Sequence, residues 1–217
     1  MDNKHLFKNT PPFLWINLDR SPDRKKYMED MFEKNGITNH IRIPGFDGKY
    51  NTDFFIKSKY NREFVNGQYG CICSHLKALD YFVNNIDNDV CFICEDDFSF
   101  DYCKYWKHDI NEYINKAPKD FNILQFCIIL DKSIHYNNNN INTTNYVKHI
   151  PRQYWSAACY LIKKQTAIDI LNNGKIKFIN NKYDFSYNEP NMIYSYYIAD
   201  YYIFNKKYNI YSLPIIS

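Results

Sequence analysis

Val90-Cys91-Phe92-Ile93-Cys94-Glu95-Asp96-Asp97-Phe98-Ser99-Phe100 runs from five apolar residues straight into three acids and then into a second aromatic run. An apolar run of that length reads as a buried strand, so the three carboxylates stand at its mouth. Adjacent negative charges repel one another, and a hard divalent cation, a raised pKa that keeps one acid neutral, or exposure to water would relieve them. If the chain stays extended through the triplet, alternation places Glu95 and Asp97 on one face and Asp96 on the other. Two carboxylates on one side make half of an oxygen cage. An acidic turn after a strand is the plainer reading.

Working outward, residues 13–18 read as another buried strand, and Ser21-Pro22 supplies an N-cap and a first-turn proline for a helix that ends at Gly36. Met28, Met31 and Phe32 give that helix its apolar stripe, and residues 40–44 read as a second strand. Strand, helix, strand is the opening of an α/β layer. Ile72, Leu76, Leu79 and Val83 recur at helical spacing over residues 70–84. Downstream, the pattern predicts a helix over 102–116, strands over 121–130 and 155–162, and a helix over 165–171 closed by Gly174. Residues 137–145 read as an exposed Asn-rich loop and 180–191 as a mobile one. A short helix containing Asp200 and a last strand over 210–213 complete the reading.

The chain of 217 residues is long enough for one domain with a substantial core. A net charge of +3 with scattered lysines gives no basic stripe, so nucleic acid is not an expected partner. No run approaches the roughly 20 apolar residues of a membrane span, and no signal peptide is legible, so a cytoplasmic protein is expected. Seven cysteines, mostly inside apolar runs, suit free buried thiols in a reducing compartment. Cys91 and Cys94 have the spacing of a metal pair, but three steps along a strand put them on opposite faces.

Several polar groups gather where such a fold places ligands, at the carboxyl ends of strands. Asn17-Leu18-Asp19-Arg20-Ser21-Pro22-Asp23-Arg24 sets two arginines at a helix start, where they suit a phosphate or pair with the aspartates on the surface. Gly67-Gln68-Tyr69-Gly70-Cys71-Ile72-Cys73-Ser74-His75 resembles a glycine-bearing turn entering a helix, without the Lys-Ser/Thr of a phosphate loop. Ser74 and His75 project about 100° apart and do not form a nucleophile and base pair on their own; His75 is either a ligand or a core polar residue satisfied by its neighbours. Trp155 suits a stacked sugar or the core. Asp200 among Ile198, Ala199, Tyr201 and Tyr202 faces either solvent or a cleft.

In order, these pieces resemble glycosyltransferase family 25, the group of lipopolysaccharide-type and procollagen galactosyltransferases. Three blocks carry the resemblance: INLDRSPDR with the later Asp47-Gly48; GQYGCICSHLKAL followed by FICEDDFSF; and WSAACYLI followed by ADYYIF. The resemblance implies a GT-A-like single α/β domain with a mixed, mostly parallel central sheet flanked by helices. Residues 1–130 would form the nucleotide-sugar half and 131–217 the acceptor half. It implies a metal-dependent transfer of a hexose, galactose or glucose favoured, from a nucleotide sugar, UDP-linked by preference, to a glycan or protein hydroxyl with inversion. Glu95 and Asp97 would hold Mn²⁺ or Mg²⁺, Asp96 would reach the donor, and Asp200 would act as the base. Asn17, Arg20, Arg24, Asp47, Ser74 and His75 would line the nucleotide pocket. A catalytically silent sugar or nucleotide-sugar receptor on the same fold is the alternative.

Overall fold

Alternation along two central strands decides the layering. In β1 (Phe13–Asn17), Phe13 and Trp15 enter one apolar cluster while Leu14 and Ile16 enter another. In β4 (Val90–Glu95), Phe92 and Cys94 share the first cluster and Cys91 and Ile93 the second. A sheet whose strands are apolar on both faces has to be covered on both. The first cluster is covered by α1 (Pro22–Lys34) through Met28, Met31 and Phe32, and by α3 (Ile110–Lys116) through Ile110 and Tyr113. The second is covered by α2 (Asn66–Asn85), α4 (Lys164–Asn173) and the short α5 (Ala199–Ile203). Phe13 and Phe92 stack across the β1–β4 pair with centroids 4.4 Å apart.

This computed structural model describes residues 3–57, 65–130, 145–149, 154–186 and 198–216. The remaining strands are β2 (His40–Pro44), β3 (Phe55–Ile56), β5 (Ile123–Cys127), β6 (Ile129–Leu130), β7 (Val147–Lys148), β8 (Tyr154–Trp155), β9 (Cys159–Lys163), β10 (Lys177–Ile179), β11 (Lys182–Asp184) and β12 (Ile210–Ile216). The main sheet has seven strands in the order β2-β1-β4-β9-β5-β12-β7. β1 is parallel to β2 and β4, and β5 to β12; β9 and β7 run antiparallel to their neighbours. With three parallel and three antiparallel pairings the sheet is mixed, and it lies between helical layers as in the α/β architecture implied by the resemblance. The chain leaves β1 for β2 on one side and returns to β4 on the other, so the carboxyl ends of all three open at one edge. Among the described residues, no helix is long and apolar enough to cross a membrane.

Several elements differ from the sequence reading. The helix expected over 102–116 begins at Ile110, because the Asp109 side chain caps it by accepting from the Glu112 N–H at 2.8 Å. Only a 3-10 turn, Cys103–Tyr105, precedes it. The strand expected over 121–130 divides into β5 and β6, and that over 155–162 into β8 and β9. Ser156, at φ 95°, breaks the second of these. The loop expected from 180 opens instead as a hairpin. Asn180 and Asn181, at φ 50° and 60°, supply the left-handed pair that a two-residue turn between β10 and β11 requires. Residues 187–191 of that loop, and all but the last residue of the Asn-rich stretch 137–145, lie outside the described residues.

α2 also begins four residues ahead of its expected start, so Gly67 and Gly70 sit inside it. The Gln68 side chain accepts from the Val65 N–H at 3.1 Å and turns the chain into the helix. Gly70 is where the backbone of residues 46–48 lies on the helix: a Cβ there would stand 2.6 Å from the Phe46 carbonyl oxygen and 2.8 Å from the Gly48 nitrogen. Both are backbone atoms and cannot swing aside, so Gly70→Ala should cost about 1–3 kcal/mol, read from denaturant midpoints.

Behind the sheet's carboxyl edge, the buried Gln125 of β5 donates to the Ser156 carbonyl at 2.9 Å and accepts from Ser212 at 2.7 Å and from His149 at 3.1 Å. Burial pulls the His149 imidazole down to about 4. Between pH 6.5 and 4 the unfolded chain therefore binds the proton that the folded chain refuses, and stability falls as the pH falls. The difference in unfolding free energy between wild type and His149→Gln should shift by about 2 kcal/mol between pH 7 and 4.5, measured by urea titration.

Candidate active site

At the carboxyl ends of β1, β2 and β4 lies a cavity of about 390 Å³. Its walls bring together Asn17, Arg20, Arg24, Asp47, Ser74, His75, Glu95, Asp96 and Asp97, which the sequence scatters over 81 positions. Asp200, the other residue singled out, is not among the residues lining it.

The acidic triplet does not stay extended. β4 ends at Glu95, and Asp96 and Asp97 lie in a turn. The three carboxylates therefore meet three different environments instead of alternating across a sheet. Glu95 Oε1 lies 2.8 Å from His75 Nε2 and 3.6 Å from Cys71 Sγ, facing α2. Burial alone would raise this carboxyl, but the hydrogen bond and charge of His75 outweigh it and hold Glu95 below the ordinary carboxylate value. Asp96 is buried, and both its oxygens are taken: Oδ2 accepts from Asn17 Nδ2 at 2.6 Å and Oδ1 from Arg24 at 2.8 Å. Asp97 is half exposed, 3.6 Å from Arg24, and burial followed by the charge of Glu95 pushes its carboxyl up.

Polar neighbours hold this arrangement. Asn17, 1% exposed, donates to Asp96 and to the Ser21 carbonyl and accepts from Arg42 Nε at 2.8 Å. Its side chain ties together the ends of β1, β2 and β4. Ser74 Oγ accepts from the Phe46 N–H at 2.8 Å and donates to the Gly70 carbonyl at 2.6 Å, seating the loop that carries Asp47 on α2. Asp47 in turn pairs with Arg20 at the cavity's rim. His75 is fully buried, with Nδ1 3.1 Å from the Tyr160 hydroxyl.

Asp200 belongs to a different device. Its Oδ1 accepts from the Ala157 N–H at 2.7 Å and its Oδ2 from the Ser156 N–H at 3.1 Å, fixing the turn between β8 and β9. Next along that turn, the Ala158 carbonyl accepts from the Glu95 N–H at 2.8 Å, which links Asp200 to the end of β4. Burial raises the Asp200 carboxyl and the two backbone hydrogen bonds only partly offset this.

Glu95 and Asp97 carry oxygen donors of the hard kind that Mg²⁺ and Mn²⁺ take, with Glu95 turned toward His75 and Cys71 and Asp97 toward the opening. Cys71, Tyr160 and Arg42 also stand at the site, though none is singled out by its own place in the sequence. Cys71 was legible as the residue one helical turn before His75; Tyr160 and Arg42 become neighbours only through the registers Ile93↔Tyr160 and Trp15↔Arg42.

The sequence model of glycosyltransferase family 25 (LPS biosynthesis protein) matches residues 10–187, and the chain belongs to that family of glycosyltransferases. Among solved structures it is similar to A197 from STIV, with 13% identity over 95% of this chain and 83% of that one and a TM-score of 0.44. No curated protein matches it.

An amide at position 200 would point a donor at one of two backbone N–H groups. Asp200→Asn should lower stability by about 1–3 kcal/mol, measured by urea unfolding at neutral pH.

Proposed function

We propose that this family 25 glycosyltransferase moves a hexose, galactose or glucose favoured, from a UDP-sugar to a hydroxyl of a glycan or protein, with inversion and with Mn²⁺ or Mg²⁺. The observation that carries the reading is one cavity, at the carboxyl ends of β1, β2 and β4, that pairs the carboxylates Glu95 and Asp97 with the cations Arg20, Arg24 and Lys49. A nucleoside diphosphate presents the complementary need: its phosphates want cations, and departure builds further negative charge there. A divalent ion held by Glu95 and Asp97 would supply charge stabilisation to the leaving diphosphate.

The other roles belong to the chain's own side chains. Arg24, held by Asp96, presents the rest of its guanidinium to the cavity, so Asp96 acts on the donor by orienting that cation. Arg20 and Lys49 flank the exposed Tyr50, with Arg20 Cζ 5.7 Å and Lys49 Nζ 5.0 Å from the ring centroid, and extend the basic rim. Asn17, Ser74 and His75 keep the pocket's walls in place. In the transfer, the acceptor oxygen forms a bond to the anomeric carbon as the bond from that carbon to the phosphate oxygen breaks, and the acceptor proton passes to Asp200. Burial makes Asp200 a stronger base than an exposed aspartate, and each of its oxygens keeps a lone pair beyond its backbone hydrogen bond. All the cavity's lining residues fall between 16 and 97, which supports residues 1–130 as the nucleotide-sugar half, with 131–217 bringing the base to the acceptor.

Asp97→Asn should reduce turnover by about 100-fold or more and remove the Mn²⁺-dependent part of UDP binding in calorimetry, with a melting temperature near wild type because Asp97 is half exposed. Full activity in that variant would remove Asp97 from the metal. Asp200→Asn should cut turnover by about 100-fold while UDP affinity holds. Binding of UDP-sugars by the wild type without turnover of any donor would make the chain a receptor.

A further inference from the structure

Cys71 and His75 lie four residues apart on α2, so their side chains leave the same helix face, and Glu95 at the end of β4 points back at both. The thiol sulfur, the imidazole Nε2 and the carboxylate oxygen all lie within 4.8 Å of one another. We propose that Cys71, His75 and Glu95 form a binding site for a borderline-soft divalent ion of the zinc class, at the inner wall of the cavity. The site stands on this geometry and does not depend on the glycosyl-transfer reading.

Ligand spacing supports the assignment. Tetrahedral zinc, with bonds of about 2.3 Å to sulfur and about 2.1 Å to nitrogen and oxygen, sets its S···O ligands about 3.6 Å apart and its N···O ligands about 3.4 Å apart. Cys71 Sγ and Glu95 Oε1 are 3.6 Å apart, and His75 Nε2 and Glu95 Oε1 are 2.8 Å apart. Entry of the ion replaces the His75–Glu95 hydrogen bond and needs that pair to open by about 0.6 Å.

The surroundings suit it as well. The Tyr160 hydroxyl oxygen, 3.1 Å from His75 Nδ1, can accept a hydrogen bond from Nδ1–H, the tautomer that leaves the Nε2 lone pair for the ion, as in the outer hydrogen bond typical of a metal-bound histidine. The thiol gives up its proton to solvent on binding, and thiolate plus carboxylate then cancel the ion's double charge. All three residues line the cavity, so the fourth position opens toward the space where a substrate oxygen or water would sit. A thiolate and an imidazole select zinc, cobalt or cadmium over magnesium and manganese. If Glu95 also serves the hard cation of the transfer reaction, a zinc-class ion takes it away, and zinc inhibits; this consequence alone rests on the proposed function.

Co²⁺ titration of the full chain, followed by absorbance, reads the site directly. One equivalent should bind with an intense sulfur-to-cobalt charge-transfer band and tetrahedral visible bands, and Zn²⁺ should displace it. Cys71→Ser should abolish the charge-transfer band and weaken Zn²⁺ binding by about 100-fold, while Cys103→Ser, on the opposite face of the sheet, leaves both unchanged. His75→Gln should weaken Zn²⁺ similarly. If it does not fold, the partly exposed Cys71 carries the test. Absence of a thiolate band in the wild type, or unchanged Zn²⁺ affinity in Cys71→Ser, overturns the site. A chain that binds Zn²⁺ as expected but transfers no sugar refutes the proposed function and leaves this site intact.

Discussion

The buried hydrogen bond from Asn17 to Asp96 joins the last residue of β1 to the turn after β4, and the cavity is organised around it. Asn17 can make the bond only because its own oxygen is occupied by Arg42 from β2, which fixes the amide's orientation. Asp96 in turn uses its second oxygen to hold Arg24 from the first turn of α1. One polar chain thus runs through three neighbouring strand ends and a helix start. A buried carboxylate without these partners would be costly, so strand ends and helix start are positioned together.

That chain also explains how three adjacent acids coexist. Their repulsion is divided among different partners: Glu95 is turned toward a helix, Asp96 is consumed by an amide and a guanidinium, and Asp97 is left at the opening. The turn after Glu95 makes the division possible, since a continued strand would have set Glu95 and Asp97 side by side. Of the three, Asp97 is the carboxylate most open to the cavity, half exposed and 3.6 Å from Arg24.

The layered α/β fold was legible because its evidence is local. Five apolar residues before an acid, a Ser-Pro before an amphipathic stretch and Ile72, Leu76 and Leu79 at helical spacing each declare an element by themselves. Element ends were less legible: the start of α3 depends on whether Asp109 or an earlier residue caps it, and the break between β8 and β9 depends on a positive φ at Ser156 that no residue type there announces. For the site, chemical types were visible but partners were not. Asp200 reads from sequence as a lone acid, yet its two oxygens close on backbone N–H groups some 43 residues away, a pairing set by tertiary structure. Tyr160 was invisible for the same reason, because it reaches His75 only through the antiparallel register of β9 on β4.

β9 lies between β4 and β5 in the sheet although both precede it in the chain. The nascent protein can therefore assemble β2, β1 and β4 from the first ninety-odd residues, but β4 and β5 have no direct edge to share and must wait for residues 159–163 to be made. Until then each presents an unpaired, apolar edge, the kind of surface that other chains can pair with. The antiparallel insertion that later joins the two halves of the sheet sets a long sequence separation for its central contacts, which slows folding, and the other edge of β5 stays open until β12 is made.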